Sequence, residues 1–338
     1  MIYIACPSNC FTGGPTLLHQ LCRELNNEGF PALMAYYDGI GSAPGSCVHP
    51  RYEGYGCDYV DLTDVTDSAK NWLILPETGT HFAERYEHAR IAIWWLSVDN
   101  YIHGNLGYID KVRAHVAKDA DVARFIRVDA LKKRKEFSAR CYFHLCQSQY
   151  AMHFLGKMGV PEDKIHYLSD YIDDAILADA EGEDHVRKED IILYNPKKMG
   201  RLTRLFLDTR LSQFAMPLQG MNQNQLINTM RKAKLYLDFG AHPGKDRLPR
   251  ETAICGCCVI TGLRGSAGNS QDVPIPDIYK IPDDSGIEEL ITKIDLVLRD
   301  YDDVRRDFDE YRRFIRSEHD AFKGDLKLVC KDLFQESS

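Results

Sequence analysis

The sequence predicts an α/β protein built from two doubly wound, Rossmann-like halves. Short apolar runs alternate with segments of helical periodicity from residue 2 onwards, and a second series of the same kind begins at residue 191. Strands separated by helices form parallel βαβ units, so each series predicts a parallel sheet covered by helices. The acidic stretch 173–190 lies between the two series, and a chain of 338 residues is long enough for two domains.

In the first half, apolar runs predict the strands and a spaced apolar stripe predicts the first helix. Residues 16–27 form that helix, because apolar side chains recur at helical spacing and Gly29 follows as a terminator. The stripe consists of Leu17, Leu18, Leu21, Cys22 and Leu25. The predicted strands are 2–6, 31–37, 72–75, 91–96 and 143–146. Such folds bind ligands at the carboxyl ends of their strands, which makes the loop after the first strand a candidate site.

The second half repeats this organisation and ends in helices. A predicted strand at 191–194 is followed by a helix that ends near residue 209 and by another helix at 223–232. The apolar periodicity after Gly286 predicts two or three long C-terminal helices. We therefore expect an N-terminal domain at 1–172, a surface linker at 173–190, a C-terminal domain at 191–300, and helices at 301–338 that cross back to the N-terminal domain.

Composition and charge describe an ordinary globular protein without a nucleic-acid partner. Hydrophobic residues make up 44% of the chain, charged residues make up 27%, and the formal net charge is −8. Nucleic-acid binding needs a concentrated basic face, which this balance argues against. No apolar run approaches the ~20 residues that cross a bilayer, and the start lacks the basic region of a signal peptide. The eleven cysteines in so large a chain predict reduced thiols and a cytoplasmic location.

One basic segment, residues 124–140, departs from the acidic balance of the chain. Seven basic and two acidic side chains give residues 122–140 a net charge of +5. The segment is either a solvated helix face or a patch for anionic lipid head groups or a charged acceptor. The second alternative predicts peripheral contact with the inner face of the membrane.

Two patterns that suggest metal binding have better explanations. The spacing of Cys255, Cys257 and Cys258 matches no zinc site and predicts core packing. Two D-x-D triplets, 119–121 and 307–309, lie in charged, helix-like stretches rather than at the end of an apolar strand. We expect neither a metal ion nor another cofactor.

The stretch 235–262 predicts a buried strand, a basic Gly/Pro loop, a short helix and a second buried strand. Pro249 suits the first turn of that helix, and Gly256 suits its end. The backbone N–H groups at the helix start, with Lys245, Arg247 and Arg250 close by, predict a site for a phosphorylated ligand. Glu251 is expected in the first turn, where it would face the same crevice.

Three blocks of the sequence resemble the nucleotide-sugar glycosyltransferases of the GT-B fold, family-4 or family-1 type. Residues 12–25 are similar to the first glycine loop and helix of that family, and residues 222–238 to the helix and strand before the donor loop. Residues 248–260 match the L-P-x-E-A-x-x-x-G-x-x-V-I signature, with Thr252 in place of alanine. The resemblance implies two Rossmann-like domains that face each other across a cleft. It also implies metal-independent, hexosyltransferase-like transfer from a nucleotide-diphosphate sugar, in the service of polysaccharide biosynthesis.

The resemblance also assigns roles within the C-terminal, donor-binding domain. Glu251 would accept hydrogen bonds from donor hydroxyls, and Lys198 would stabilise the leaving diphosphate. The family usually has a second glutamate eight positions before the first, but that position is Pro243 here, and His242 occupies nearby space. The expected donor-binding residues are Gly13 and Gly14 of the N-terminal domain and, in the C-terminal domain, Lys197, Lys198, Arg201, His242, Gly244, Lys245, Arg247, Arg250 and Glu251.

The N-terminal domain would bind a glycan or lipid-linked acceptor and supply a base or an electrostatic stabiliser. Asp99 is our candidate, and Glu77 is the alternative, because both follow predicted strands; surface turns, however, also favour acids. A nucleotide-sugar epimerase or hydrolase of the same fold would need no acceptor. A non-catalytic nucleotide-sugar-binding subunit would bind the nucleotide without turnover, which the missing glutamate makes credible.

Overall fold

A computed structural model describes residues 1–37, 47–107, 109–110, 131, 134, 137, 143–181 and 186–334. The chain forms two units, one made of Met1–Ser169 with Phe322–Ser338 and the other of Asp170–Ala321. The division falls within the last helix, so the chain from Phe322 onwards belongs to the first unit. Among the described residues, no helix combines the length and the apolar character needed to span a bilayer.

The first unit contains a parallel seven-stranded sheet with the order β3-β2-β1-β4-β5-β6-β7. Its strands are β1 (Ile2–Pro7), β2 (Ala32–Tyr37), β3 (Tyr59–Asp61), β4 (Trp72–Pro76), β5 (Arg90–Trp95), β6 (Phe143–Cys146) and β7 (Ile165–Tyr167). The five predicted strands are confirmed. The sequence did not predict β3 and β7, because each has three residues and no fully buried side chain. The order reverses between β1 and β4, which opens a crevice at the carboxyl ends of these strands.

Helices cover this sheet, and the first confirms the predicted apolar stripe. In α1 (Gly13–Asn27), all five stripe residues are at most 4% exposed. The helix starts three residues earlier than predicted, so Gly13 and Gly14 belong to its first turn. Gly29 follows its end with φ of +83°, a conformation that glycine adopts at little cost. The other described α-helices assigned to this unit alone are α2 (Val98–Asn105) and α3 (Gln149–Met158).

The second unit contains a parallel four-stranded sheet with the order β11-β10-β8-β9. Its strands are β8 (Glu189–Tyr194), β9 (Ala215–Pro217), β10 (Ala233–Asp238) and β11 (Cys258–Thr261). The three predicted buried strands are confirmed, whereas the short, half-buried β9 was not predicted. The strand β9 lies beside β8 at one edge of the sheet. The strand β10 lies on the other side of β8, and β11 lies beside β10. The strand order therefore switches between β8 and β10.

The helices of the second unit begin within the expected linker. In α4 (Asp174–Glu181), the side chains of Ile176, Leu177 and Ala180 pack against the core of this unit, which the acidic composition of 173–190 did not indicate. The described helices that follow are α5 (Arg201–Leu207), α6 (Gln223–Lys232), α7 (Arg247–Ile254), α8 (Ile287–Arg299), α9 (Tyr301–Val304) and α10 (Asp309–Phe334), the last of which continues into the first unit.

Candidate functional site

The strand switch between β8 and β10 defines the best candidate site in the second unit. In doubly wound sheets, ligands bind in the crevice beyond the carboxyl ends of the two strands at which the order switches. Two loops line this position, residues 195–200 after β8 and residues 239–246 after β10. The second loop leads directly into α7. The first backbone N–H groups of a helix have no partner within it and can bind an anion.

Two glycines bring these loops into direct backbone contact. A Cβ atom on Gly200 would lie 1.8 Å from the carbonyl oxygen of Phe239, and one on Gly240 would lie 2.5 Å from the carbonyl oxygen of Lys198. Both distances are far below van der Waals contact, and the obstructing atoms belong to the backbone. Only glycine therefore allows the loops this separation, which fixes the position of the side chains that they carry.

Lys198 and Asp246 form an ion pair from one loop to the other. The Lys198 ammonium lies 2.9 Å from Asp246 Oδ1 and 2.8 Å from Oδ2. The pair is partly exposed, with 37% of the lysine side chain and 18% of the aspartate side chain accessible. Asp246 is also the N-cap residue of α7, but its side chain accepts no capping hydrogen bond from the helix.

His242 lies between two carboxylates and is completely buried. Its Nε2 is 3.3 Å from Asp238 Oδ1, and its Nδ1 is 3.7 Å from Asp246 Oδ2, although neither nitrogen is aligned for a hydrogen bond. Burial alone would lower the pKa of His242, but the two carboxylates outweigh this and raise it overall. Burial would raise the pKa of Asp238, yet His242, the Tyr236 hydroxyl and the Gly240 N–H together lower it. This arrangement favours a protonated His242 beside the Asp238 carboxylate, whereas burial raises the pKa of Asp246 despite the nearby His242 and Lys198.

These residues also form the one group in the described part of the chain whose side chains could together ligate a metal ion. One ligand atom each from Asp238, His242 and Asp246 lies within 4.8 Å of the others. However, the two ring nitrogens of His242 face different carboxylates, and Lys198 already neutralises Asp246. The two carboxylates of the group therefore each have a basic side chain of the protein beside them.

Lys245 and Arg250, both predicted to bind the donor, belong to a buried ion cluster. The Arg250 guanidinium contacts Asp170 at 2.6 Å and Glu318 at 2.9 Å, and the Lys245 ammonium contacts Glu318 at 3.0 Å. All four side chains are at most 3% exposed. Burial alone would lower the pKa of Arg250, but the two carboxylates raise it overall. In this structure both cations are held by protein carboxylates.

Glu251 lies in the second turn of α7, which corrects the prediction that it lies in the first. The helix begins at Arg247, four residues earlier, and Pro249 is confirmed in the first turn. Glu251 Oε1 accepts a hydrogen bond from Arg247 Nε at 3.0 Å and forms an ion pair with Arg247 Nη2 at 2.9 Å. Gly256, with φ of +91°, is confirmed just beyond the helix end.

The remaining predicted donor residues of this unit surround the same loops. Lys197 is exposed, directly before Lys198. The Arg201 guanidinium donates to the carbonyl oxygens of Asp283 and Ser285. Gly244 is buried, and its carbonyl accepts a hydrogen bond from the Ser266 hydroxyl. Their donor contacts stay predictions.

In the first unit, the predicted glycines and acids lie near the switch between β1 and β4 or after β5. Neither Gly13 nor Gly14 has positive φ, and a Cβ atom on either would meet no atom closer than 3.8 Å. The protein itself therefore does not require glycine there. Asp99 is the second residue of α2 and accepts a hydrogen bond from the Tyr150 hydroxyl. Glu77 directly follows β4; burial raises its pKa to about 7, and it accepts a hydrogen bond from the Leu96 N–H.

The other sequence patterns have separate outcomes. The three clustered cysteines pack in the core of the second unit, as predicted. Asp307 accepts a hydrogen bond from Tyr279, and Asp309 pairs with Arg312. The triplet 119–121 and nearly all of the basic segment 124–140 lie outside the described residues.

Sequence reasoning missed the acids of this site. Asp238 ends a predicted buried strand, a position at which parallel sheets present functional groups, so its place in the sequence was a usable signal. Asp170 and Glu318 gave no such signal, because they are distant in sequence from the cations that they neutralise.

Solved structures with the same fold cover nearly the whole chain. A glycosyltransferase from Rickettsia africae ESF-5 matches with a TM-score of 0.62 and 13% identity, covering 99% of this chain and 98% of that chain. HepE from Anabaena, in complex with UDP, matches with a TM-score of 0.59 and 11% identity, covering 98% and 100%. Sucrose-phosphate synthase from Thermosynechococcus elongatus matches with a TM-score of 0.64 and 12% identity, covering 99% of both chains.

At these identities the likeness shows the fold, and the predicted GT-B fold is confirmed. No protein-family model matches the chain, and no curated protein sequence matches it.

Proposed function

We propose that this protein is a glycosyltransferase that uses a nucleoside-diphosphate sugar and transfers the sugar to a glycan or lipid-linked acceptor. The observation that carries the proposal is the β8/β10 crevice, where Lys198 stands opposite the start of α7 in a GT-B fold. Anabaena HepE, which shares the fold, is known in complexes with UDP, with UDP-glucose, and with UDP and glucose.

Lys198 and the exposed Lys197 are the proposed contacts of the donor diphosphate. Both follow β8 at the strand switch, and their ammonium groups would stabilise the charge that develops on the leaving group. The α7 N–H groups receive no hydrogen bond from the Asp246 side chain, which supports a role for them in binding an anion. Because these groups are themselves positive, the proposed reaction needs no metal ion.

Glu251 is the proposed contact of a donor hydroxyl, and Asp99 is the proposed carboxylate of the first unit. One oxygen of Glu251 is held by Arg247, which fixes the carboxylate and leaves its second oxygen for a ligand. We reassign Lys245 and Arg250 from donor contacts to supports of the loop, because withdrawing these cations from the buried carboxylates of Asp170 and Glu318 would be costly.

The proposal is tested by calorimetric titration with UDP, GDP, ADP and dTDP, each in EDTA and in magnesium. We expect one nucleotide to bind equally in both buffers. Lys198→Ala should weaken its affinity, whereas the matched control Lys234→Ala, which alters a lysine paired with Asp190 in the same unit, should not. Binding that requires magnesium would refute metal independence.

The reaction class is tested separately, by incubating the matching nucleotide sugar with and without acceptor glycans. Sugar transfer that depends on the acceptor supports the proposal. Consumption of the donor alone would indicate a hydrolase or an epimerase. Binding without turnover against a broad acceptor panel would indicate a non-catalytic subunit.

A further inference from the structure

The Asp246 carboxylate is held by Lys198 rather than by the helix that Asp246 begins. Aspartate at an N-cap ordinarily accepts a hydrogen bond from a backbone N–H of the first turn. Here both carboxylate oxygens lie within 2.9 Å of the Lys198 ammonium, and the side chain makes no capping bond. The orientation of the Asp246 side chain therefore leaves the α7 N–H groups without a side-chain cap and pairs Lys198 with a carboxylate of the protein.

The diphosphate of the proposed donor would also place an anionic oxygen against the Lys198 ammonium. Carboxylates and phosphates bind the same ammonium hydrogens, so a diphosphate that reaches Lys198 has to compete with Asp246. The pair is open to this exchange, because 37% of the lysine side chain is exposed. The buried Lys245 is 2% exposed and contacts two carboxylates, so it lacks that freedom.

His242 offers the released carboxylate a second partner. Its Nδ1 lies 3.7 Å from Asp246 Oδ2, within ion-pair distance but beyond a hydrogen bond. The imidazole is 0% exposed, and neither nitrogen makes a hydrogen bond in the present arrangement. The contact with Asp238 on its other edge keeps the ring oriented.

We propose that Asp246 acts as an internal competitor that occupies Lys198 until the donor diphosphate displaces it, after which His242 holds the carboxylate. The proposal rests on the proposed function. It assigns Asp246 and His242 as positioning residues: they set how readily Lys198 is available, while Lys198 makes the contact with phosphate. The competition lowers the affinity for anions smaller than the donor, which make fewer contacts to offset the loss of Asp246.

The test is a double-mutant cycle on nucleotide affinity, with the nucleoside diphosphates of the panel above as probes. Asp246→Asn keeps a good N-cap residue and releases Lys198, so we expect affinity to rise about two- to fivefold, the range typical of a partly exposed ion pair. In a Lys198→Ala background the same substitution should change affinity very little, because the lysine it acts through is absent. Asp190→Asn, which breaks the 2.6 Å pair with Lys234, is the matched control and should leave affinity unchanged.

His242→Asn adds a second arm to the cycle. It should weaken nucleotide affinity in the parent protein and have little effect once Asp246→Asn is present, since no carboxylate then needs a new partner. Melting curves separate these effects from loss of the fold. If His242→Asn does not fold, the Lys198 and Asp246 cycle still decides.

Equal or weaker nucleotide binding by a folded Asp246→Asn protein would overturn the inference, as would a gain that persists in the Lys198→Ala background. Binding by Asp246→Asn alone, with none by the parent, would support it. If neither protein binds any nucleotide of the panel, the proposed function fails and the inference fails with it. A parent that binds while Asp246→Asn gains nothing refutes the inference alone.

Discussion

Two arginines on α7 provide a direct test of how burial controls the value of a charge. Both Arg247 and Arg250 pair with carboxylates, but 26% of the Arg247 side chain is exposed and only 1% of the Arg250 side chain. We predict that Arg250→Met strongly lowers the free energy of unfolding, whereas Arg247→Met changes it little. Methionine keeps most of the aliphatic length, so the comparison isolates the charge and its hydrogen bonds.

The loss in the free energy of unfolding depends on the partners that each substitution leaves without an arginine. Arg250 donates to both oxygens of Asp170, to Glu318, and to the backbone carbonyls of Lys245 and Asp246, at 2.6–3.2 Å. The buried cluster is neutral with two cations and two carboxylates, and Arg250→Met leaves one negative charge uncompensated. Breaking a buried pair in this way costs about 3–5 kcal/mol. The Arg247 pair should cost less than this, because the Arg247 side chain is 26% exposed, although that of Glu251 is only 9% exposed.

Urea unfolding followed by circular dichroism measures both variants. Tryptophan fluorescence is unsuitable as the only probe, because Trp72, Trp94 and Trp95 all lie in the first unit. A double variant that replaces both Arg250 and Glu318 by methionine should recover part of the loss, since it restores neutrality. Similar losses for Arg247→Met and Arg250→Met would refute the reasoning, as would an unchanged stability of Arg250→Met.

Three further predictions concern other elements. Burial raises the pKa of Glu77 to about 7, above its unfolded value, so its stabilising contribution is complete below the unfolded pKa and is lost as pH rises through 7. In urea unfolding, Glu77→Gln should therefore be more stable than the parent at pH 9, by up to the order of 3 kcal/mol. At pH 4 the two proteins should have similar stability. Gly200→Ala should cost about 1–3 kcal/mol or more and weaken nucleotide binding, whereas Gly156→Ala, whose Cβ would meet no atom within 4 Å, should be neutral or stabilising in melting curves. Glu251→Gln should keep the fold and lower kcat/KM by about 30- to 1,000-fold; a folded variant with a near-normal rate would remove Glu251 from the site.

Local rules were sufficient for most of the fold. The α1 stripe, the helix end at Gly256 and the long buried strands each depend on residues close together in the sequence, so periodicity and glycine placement revealed them. The strands β3, β7 and β9 were not predicted, because a strand of three residues shows too little periodicity. The helix α4 was not predicted, because it has few apolar side chains. In each of these cases tertiary packing, and not the local pattern, decides the structure.

The position of the candidate site was predictable from the sequence, but the ion pairs between its cations and carboxylates were not. The strand–loop–helix pattern located the basic loop and α7, and the second series of strands located Lys197 and Lys198. Which cation faces the crevice depends on contacts between residues far apart in sequence, such as Lys198 with Asp246 and Arg250 with Asp170, 48 and 80 positions apart. A basic residue near a predicted helix start therefore identifies a candidate only, since the sequence does not reveal its partner.

Burial separates the cations around α7 by what they are able to do. A charge that binds a substrate has to exchange one partner for another during each cycle, and the cost of that exchange depends on access to water. Lys198 has one carboxylate partner and a partly exposed side chain, so the proposed replacement of Asp246 by a diphosphate would cost little. Arg250 has two carboxylates and almost no exposure, so its departure would leave two buried carboxylates with Lys245 as their shared cation. Ion pairs around α7 therefore have two different roles. The buried cluster of Arg250 fixes the loop that carries Asp246, and the partly exposed Lys198 supplies the charge that a donor would meet.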